Sequence, residues 1–340
     1  MTVRNRNLHS ALRNKNDEFY TRTEDIEIEL NDYAHHFKGK VVYCNCDDPH
    51  RSNFCTYFIN HFQQLGLKKL MCSCYNSASN GVLFEYYGED NPNNGIKPLN
   101  GDGDFRSSEC ADILRTADIV VTNPPFSLFR DYVRQLMRFG KKFLIIGNMN
   151  AITYKNVFVH IMSNNIWLGN HNVKEFITSE TEITKPSSQY ILNDAVMQKF
   201  GNICWFTNLE NGKEHKPLDL VKTYNSKDYP KYENYDAIEV SKTCNIPKDY
   251  NGIMGVPISF MHRYCPSQFK ILGMPENLDL YGLKTRWYTR EECREAYFKK
   301  FGQEVNRDIN AARNILIRAL RDSSAMTEMS LLPNTIVTAR

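Results

Sequence analysis

Residues 117–126 carry the stretch ADIVVTNPPF, which decides the fold. Its β-branched residues are typical of a buried strand, and we predict that this strand ends on Asn123. Two prolines follow, and because proline fixes φ and restricts the residue before it, the Asn123 side chain and the Pro124 carbonyl are held in a rigid turn. Ligands of open α/β sheets bind at the carboxyl ends of strands, so we expect a functional site at this turn.

Strands and helices alternate on both sides of this turn, which predicts an α/β fold around a mainly parallel, Rossmann-like sheet. The apolar and amphipathic patterns predict strands over 41–44, 69–74, 82–87 and 142–146 and helices over 52–65 and 128–137. The Gly- and Asn-rich stretch 88–104 is interpreted as an exposed loop. Beyond about residue 169 the alternation fades into a less regular region, with strands predicted over 203–207 and 255–260.

The composition is typical of a folded globular protein: 41% of the 340 residues are hydrophobic and 24% are charged. The chain has no apolar run of transmembrane length, and no apolar stretch follows its charged start, so we expect no membrane segment and no secretory signal. The default location is therefore the cytosol or nucleus. The net charge of +3 is too small to identify a polyanion binder by itself.

Ten cysteines are scattered along the chain, and in a reducing compartment we expect them to stay unpaired. Cys44 and Cys46, and likewise Cys72 and Cys74, place two thiols on one face of a predicted strand. A zinc site is one interpretation. Zinc more often binds a CxxC turn, so we favour small core residues and expect no metal site.

The Asn-Pro-Pro-Phe turn suits chemistry on the exocyclic amine of a purine. Such an amine is a poor nucleophile because its lone pair is delocalised into the ring, and two hydrogen-bond acceptors would favour a pyramidal nitrogen. Asn123 Oδ1 and the Pro124 carbonyl can be those acceptors, and Phe126 can stack on a base that has left its duplex. The alternative interpretation is a simple turn in which Phe126 caps the core.

The turn resembles motif IV of the amino-methylating DNA methyltransferases, and further blocks extend the resemblance to the EcoRI-type adenine-specific DNA methyltransferase family over about residues 14–270. These blocks are DEFYT (17–21), VVYCNCDDP (41–49), GDGDFRSSE (101–109), DIVVTNPPFSLFR (118–130), KKFLIIGN (141–148), YDAI (235–238) and DYNGIMGVPISF (249–260). The resemblance implies a class I S-adenosylmethionine-dependent fold that methylates adenine N6 in double-stranded DNA. The catalytic residues it implies are Asn123, Pro124, Pro125 and Phe126.

The resemblance also implies a biological setting. We expect a type II restriction–modification system, or a solitary or viral counterpart, in the cytoplasm of a bacterial or virus-infected cell. We expect a monomer on DNA and a cognate restriction endonuclease that acts on the same site without direct contact. The recognition sequence stays open, because base readout follows no transferable code.

The cofactor contacts are likewise implied by the resemblance. Phe19, Tyr20 and Thr21 would line the methionine side of S-adenosylmethionine, while Asp104 and Phe105 would contact its adenine through the amine and the ring. Alternatively, Thr21 or Thr23 caps a helix that begins near Glu24, and Asp104 lies in an exposed acidic turn.

The first strand departs from the usual methyltransferase pattern, because no glycine-rich turn follows it. Asn45, Cys46, Asp47, Asp48 and Pro49 stand there instead. We assign Asp47 and Asp48 as cofactor contacts. The ribose partner stays open, since no acidic residue follows the second strand.

Three parts are predicted along the chain: a basic arm over 1–13, a methyltransferase domain over 14–168, and a target-recognition region over 169–340 with a helical C-terminal tail. The arm has no acidic residue, so it either lies along phosphates or is a solvated tail. The candidate DNA-binding residues are Arg4, Arg6, Arg13, Lys213, Lys216, His262 and Arg263.

The tail supplies a second hypothesis, because residues 306–315 resemble the last Asp-containing motif of transposon-associated RuvC-like nucleases. Asp308 alone cannot hold two divalent ions, and no upstream carboxylates can be placed beside it. We therefore favour a surface helix over 308–321 with an apolar stripe. A third hypothesis, a non-catalytic DNA-binding descendant of a methyltransferase, is disfavoured by the intact Asn-Pro-Pro-Phe turn.

Overall fold

A computed structural model describes residues 19–76, 78–178, 183, 185–212, 216–232, 235–274 and 315–320. The chain divides into two compact units, Met1–Asn211 and Gly212–Arg340. This division lies further along the chain than the predicted boundary at residue 168, because strands after that residue complete the sheet of the first unit.

The first unit is built on one ten-stranded sheet. Its strands are β1 (Phe19–Thr21), β2 (Val41–Cys44), β3 (Lys69–Cys74), β4 (Val82–Tyr86), β5 (Gly95–Pro98), β6 (Ile119–Thr122), β7 (Lys142–Asn148), β8 (Trp167–Thr178), β9 (Gln189–Leu192) and β10 (Ala195–Thr207). They lie in the order β1-β8-β10-β7-β6-β2-β3-β4-β5, with β9 paired to β10. The central strands β7, β6, β2 and β3 are parallel, and their outer neighbours pair antiparallel. The predicted Rossmann-like α/β class is confirmed.

Helices connect these strands as the amphipathic patterns predict. The described ones are α1 (Thr23–Asn31), α2 (Asn53–Asn60), α3 (Phe62–Leu65), α4 (Ser108–Thr116), α5 (Phe129–Arg138) and α6 (Lys155–Met162). The predicted helix over 52–65 is broken at His61 into α2 and α3. The predicted helix over 128–137 is α5, and a short 3-10 turn over Phe126–Leu128 leads into it from Pro125.

Local predictions fail where a partner distant in sequence decides the structure. The stretch 88–104 is not all loop, since β5 pairs with the edge of β4. Thr21 and Thr23 do not cap a helix: Thr21 ends β1, and α1 has Arg22 at its N-cap with no side-chain bond.

The expectation that every cysteine stays unpaired is also wrong. Cys55 on α2 and Cys72 on β3 form a disulfide, their Cα atoms 6.5 Å apart. The helix packs against the strand, and a separation of 17 residues gives no sequence signal for that contact. Cys44 is buried beside Cys72, as the core interpretation predicts.

The second unit contains a four-stranded sheet in the order β11-β12-β14-β13. Its strands are β11 (Ala237–Glu239), β12 (Ile253–Val256), β13 (Phe269–Gly273) and β14 (Ile315–Ala319). The strand predicted over 255–260 ends at Val256, and a 3-10 turn over Ile258–Arg263 follows Pro257.

The predicted tail helix is wrong in its described part. Ile315, Leu316 and Ile317 are consecutive and all buried, because β14 lies between β12 and β13 and is covered on both faces. A surface helix would bury one side of this run and expose the other. Asp308 lies outside the described residues.

No described helix is long and apolar enough to cross a bilayer. Across the same described ranges, no group of three or more His, Cys, Asp or Glu residues is arranged to hold a metal ion.

Candidate active site

The carboxyl ends of β2 and β6 bring the two main candidate segments together. β2 and β6 are parallel neighbours, so residues 45–47 after β2 and Asn123 after β6 lie at the same edge of the sheet. This is the edge at which open α/β sheets bind ligands. The sequence prediction of a strand ending at Asn123 is confirmed, since β6 ends at Thr122.

The Asn123 side chain is fixed through one half of its amide. Asn123 Nδ2 donates a hydrogen bond of 2.8 Å to the Phe19 carbonyl oxygen on β1. This bond defines which end of the amide is the nitrogen. Asn123 Oδ1 is buried and has no hydrogen-bond partner among the described residues. A buried acceptor left unpaired costs free energy unless a ligand donates to it.

The prolines shape the turn that follows. Pro124 is buried, whereas Pro125 is half-buried and precedes the 3-10 turn, its carbonyl accepting a 3.0 Å bond from the Leu128 amide. The Phe126 side chain is half-buried. The turn therefore presents Phe126 at the sheet edge on a backbone with little freedom.

Phe126 belongs to a cluster of four phenylalanines. Its ring centroid lies 6.4 Å from that of Phe19, nearly parallel to it, and 6.3 Å from those of Phe176 and Phe200, edge to face. Phe19 and Phe200 are closer still, at 4.9 Å. Phe176 is fully buried, but the other three rings are only half-buried. The cluster packs β1, which carries Phe19, against the Asn-Pro-Pro-Phe turn.

Strand β1 carries the three residues predicted to line the methionine side of the cofactor. Thr21 is buried, and its hydroxyl oxygen has no partner among the described residues. The Thr21 carbonyl accepts a 2.7 Å bond from Asn53 Nδ2. Tyr20 is half-buried. Two asparagines, Asn53 and Asn123, thus hold β1 against the site through its carbonyls.

Asp47 is a buried carboxylate, 8% exposed, between β2, β6 and α2. Its Oδ1 accepts a 2.7 Å bond from the Ser52 hydroxyl, and its Oδ2 accepts from the Thr122 hydroxyl. Burial raises the pKa of Asp47 to about 6, although both hydroxyl bonds act in the opposite direction. Thr122, which is bonded to Asp47, is the residue before Asn123 in the sequence, so this bond links the two candidate segments.

Asp48 is half-buried and builds the turn before α2. Its Oδ1 accepts a 2.9 Å bond from the His50 amide, and its carbonyl accepts from the Ser52 amide at 2.8 Å. These local bonds account for the residue without a ligand, so its assignment to the cofactor stays a prediction.

The loop with Asp104 and Phe105 lies against the end of β3. Gly103 has φ +81°, and a Cβ there would lie 2.2 Å from the Cys74 carbonyl oxygen, so only glycine allows this approach. The Asn76 amide donates a 2.8 Å bond to the Asp102 carbonyl. The loop therefore occupies the edge next to the Asp47 segment.

Asp104 and Phe105 are both engaged by protein groups. Burial alone would raise the pKa of Asp104, but hydrogen bonds from the Arg106 side chain and amide outweigh burial and lower it. Phe105 is 6% exposed and contacts the Tyr132 ring, with centroids 5.0 Å apart. Gln135 Nε2 donates to the Phe105 carbonyl at 2.8 Å. Their contact with cofactor adenine stays a prediction.

Several residues that support the site were missed from the sequence. Tyr132 on α5 donates from its hydroxyl to Asn45 Oδ1, and Phe200 on β10 completes the aromatic cluster. Glu109 on α4 accepts from the Asn100 and Gly101 amides, which fixes the start of the loop with Asp104. Ser52, which donates to Asp47, is the supporting residue that the sequence could indicate, because a serine before an amphipathic run is typical of an N-cap.

The candidate DNA-binding residues are placed only in part. Lys216 and Arg263 are exposed and His262 is half-buried, all in the second unit. Four candidates lie outside the described residues: Arg4, Arg6, Arg13 and Lys213.

The sheet with its parallel centre is that of a class I methyltransferase fold, and the Asn-Pro-Pro-Phe turn and a buried carboxylate lie at one of its edges. Residues 7–320 match the family described as adenine-specific methyltransferase EcoRI. The chain therefore belongs to this family, and it is a DNA adenine methyltransferase that uses a methyl donor. The family and enzyme class predicted from the sequence are confirmed.

Individual relatives support the same conclusion. The chain is 48% identical to Type II methyltransferase M.EcoRI of Escherichia coli, over 81% of this chain and 91% of that protein. It is 40% identical to Type II methyltransferase M.MpnI of Mycoplasma pneumoniae, over 82% and 90% of the two chains. It is 36% identical to Type II methyltransferase M.MgeORF184P of Mycoplasma genitalium, over 89% and 94%. No solved structure matches the chain.

Proposed function

We propose that this methyltransferase transfers a methyl group from S-adenosylmethionine to N6 of an adenine that has swung out of duplex DNA. We further propose that it acts as a monomer in a type II restriction–modification system, or as a solitary or viral counterpart. In the first setting a cognate endonuclease shares its recognition site without contacting it.

The observation that carries the proposal is the unpaired Asn123 Oδ1. Because the amide nitrogen is bonded to Phe19, the oxygen is the end available to an incoming donor. An N6 amine supplies that donor. With the Pro124 carbonyl as a second acceptor, the amine hydrogens are held and the nitrogen lone pair is released from the ring.

The residues at the sheet edge fit S-adenosylmethionine. When bound, it supplies an electrophilic methyl group on a sulfonium. Thr21 has a buried hydroxyl without a partner, Asp47 has a buried carboxylate, and Asp104 with Phe105 lies on the adjoining loop. Thr21 and Asp47 would hold the methionine end of the cofactor, and Asp104 and Phe105 would hold its adenine end.

Phe126 serves the base. A flipped adenine loses stacking and pairing worth about a few kcal/mol, and stacking on an aromatic ring at the sheet edge offsets part of that cost. The half-buried rings of Phe19 and Phe200 leave Phe126 inside an apolar wall that excludes water from the amine.

The test replaces Asn123 with alanine. Asn123→Ala should lower kcat by about 100-fold or more while cofactor affinity stays close to that of the unmodified protein, because the lost acceptor acts on the target amine. Single-turnover methylation and calorimetric cofactor binding measure the two effects separately.

Asn208→Ala is the matched control. Asn208 also follows a strand of the sheet, and both ends of its amide bond to backbone, with Oδ1 accepting from the Phe143 amide and Nδ2 donating to the Lys141 carbonyl. The control should lose stability and keep kcat. A kcat for Asn123→Ala within about threefold of the unmodified protein would sink the assignment.

A further inference from the structure

The buried Asp47 carboxylate accepts two hydroxyl hydrogen bonds and has no cationic side chain beside it among the described residues. Ser52 and Thr122 each donate a hydroxyl to one of its oxygens. Within the described part of the chain, Asp47 forms no ion pair. A buried carboxylate of this kind has its charge only partly compensated, and a ligand cation would complete the compensation.

The direction of the Ser52 hydrogen bond follows from its second contact. Ser52 Oγ accepts a 3.1 Å bond from the Phe54 amide at the start of α2. Its own proton is therefore free to point at Asp47 Oδ1. Ser52 thus caps a helix and donates to the carboxylate at the same time, so removing it disturbs both functions.

Thr122 also donates to Asp47, but it does not cap a helix as Ser52 does. It is fully buried, it ends β6, and the next residue is Asn123. Its hydroxyl reaches across to Asp47, which follows the neighbouring strand β2. One side chain thereby joins the segment assigned to the cofactor with the segment assigned to the target amine.

The titratable groups that face Asp47 do not supply a charge. Cys44 and Cys46 lie on its own segment and Tyr132 lies on α5, and burial raises the pKa of each of them well above its ordinary value. All three are therefore neutral near pH 7. Hydroxyl donation from Ser52 and Thr122 remains the main protein contribution that favours the ionised carboxylate.

We propose that Thr122 and Ser52 are positioning residues that keep the Asp47 carboxylate ionised and oriented to receive the α-ammonium of S-adenosylmethionine. This inference rests on the proposed function, in which S-adenosylmethionine is the methyl donor. It adds two residues with assigned roles and a pH dependence to the site.

The central experiment is calorimetric binding of S-adenosylmethionine to the full chain without DNA, from about pH 5 to about pH 7, where the α-ammonium of the ligand stays protonated. Affinity depends on ionised Asp47, so it should be high above the pKa of about 6 and fall as pH drops through it. Thr122→Val removes one donor and keeps the shape, and should move the midpoint upward by about one pH unit. Thr122→Ser should restore it.

Thr207→Val is the matched control for a buried hydroxyl. Thr207 is also fully buried at a strand end, and it donates to the Phe143 carbonyl at 2.8 Å. The Thr207→Val variant should be less stable, but the pH midpoint of its S-adenosylmethionine affinity should not move. An equal shift in Thr207→Val, or no shift in Thr122→Val, overturns the inference.

A second measurement needs no cofactor. The folded-state pKa of Asp47 is raised from 3.8 to about 6, so the folded protein keeps a proton that the unfolded chain has released. Stability against urea should therefore fall as pH rises from about 4 to about 6. Thr122→Val should extend this fall above pH 6, and Asp47→Asn should remove it.

Asp47→Asn separates failure of the inference from failure of the proposed cofactor site. If this variant binds S-adenosylmethionine as tightly as the unmodified protein at neutral pH, Asp47 is not a cofactor contact and the inference fails with that assignment. If its binding is weak and independent of pH while Thr122→Val leaves the midpoint unchanged, the assignment stands and only the positioning role is overturned. Methylthioadenosine, which lacks the ammonium, should bind all variants without this pH dependence.

Discussion

At the scale of single residues, the Asn123 side chain and the Phe126 ring are both held in place by protein contacts. Asn123 is already held by the Phe19 carbonyl before any ligand arrives. Phe126 is held by a rigid turn and by edge-to-face contacts with its neighbours. Side chains that are already held by protein contacts lose less conformational entropy when a ligand binds to them.

Phe126→Ala should bind target DNA more weakly or methylate it more slowly, because the flipped adenine loses its stacking partner. With 2-aminopurine at the target position, the unmodified protein should increase probe fluorescence, and the variant complex should be brighter because the ring no longer quenches. Steady fluorescence at saturating DNA with a cofactor analogue measures this. Phe126→Tyr keeps the ring and serves as the control with near-normal turnover. Fluorescence that stays constant in all proteins would contradict base flipping.

The sequence predicts the backbone structure of the Asn-Pro-Pro-Phe turn well and the contacts around it poorly. Strand β6 and Asn123 follow from a β-branched run and two prolines, which are local signals. The Thr122 and Ser52 bonds to Asp47 depend on how β6, β2 and α2 meet, and no periodicity encodes that. Phe200 reaches the cluster from β10 beside a register shift between Lys199 and Ile203, which the chain pattern does not reveal.

At the scale of elements, α5 links the Asn-Pro-Pro-Phe turn to the two segments proposed to bind the cofactor. It begins directly after the 3-10 turn with Phe126. Tyr132 and Gln135 lie three residues apart and hence on one face, where they bond to Asn45 and to the Phe105 carbonyl. A shift of α5 would move both loops together.

Tyr132→Phe should weaken cofactor binding severalfold with kcat little changed at saturating cofactor. Asn45 is buried, and losing its hydroxyl donor leaves an unpaired oxygen, which costs about 1–3 kcal/mol. Calorimetric titration and thermal unfolding provide the two measurements. Tyr33→Phe removes another buried hydroxyl, the acceptor for Asn211 Nδ2, and should lower stability alone. Equal cofactor affinity in the two variants would contradict the linking role of α5.

Element predictions failed mainly at the sheet margins. The parallel centre repeats strand and helix at regular intervals, and each apolar run there is a strand. β5 and β14 are short strands whose identity depends on an antiparallel partner, β4 for one and β12 with β13 for the other. Strand preference is set by packing context more than by the residues themselves.

At the scale of the whole molecule, the net charge of +3 is small, so we expect DNA affinity to depend on local basic segments. The arm over 1–13 holds Arg4, Arg6 and Arg13 and no acidic residue. If these side chains contact phosphates, each releases about one counterion on binding, and the affinity becomes steeply dependent on salt.

Replacing Arg4, Arg6 and Arg13 with glutamine should reduce the slope of log K against log salt by up to about three units. Fluorescence anisotropy with specific duplex DNA at several salt concentrations gives the slope. Replacing the same three with lysine keeps the charge and should leave the slope nearly unchanged. If the glutamine variant retains the full slope, the arm is a solvated tail.

Strand β1 has a consequence for the order in which the chain can assemble. It is the first strand of the described chain to be synthesised, yet its main-chain partner is β8, with Phe19 opposite Thr178. The carbonyl that orients Asn123 belongs to a residue 104 positions earlier. A nascent chain can therefore pair its parallel strands before β1 is held beside Asn123. Methylation competence should arise only after the β8 segment has been synthesised.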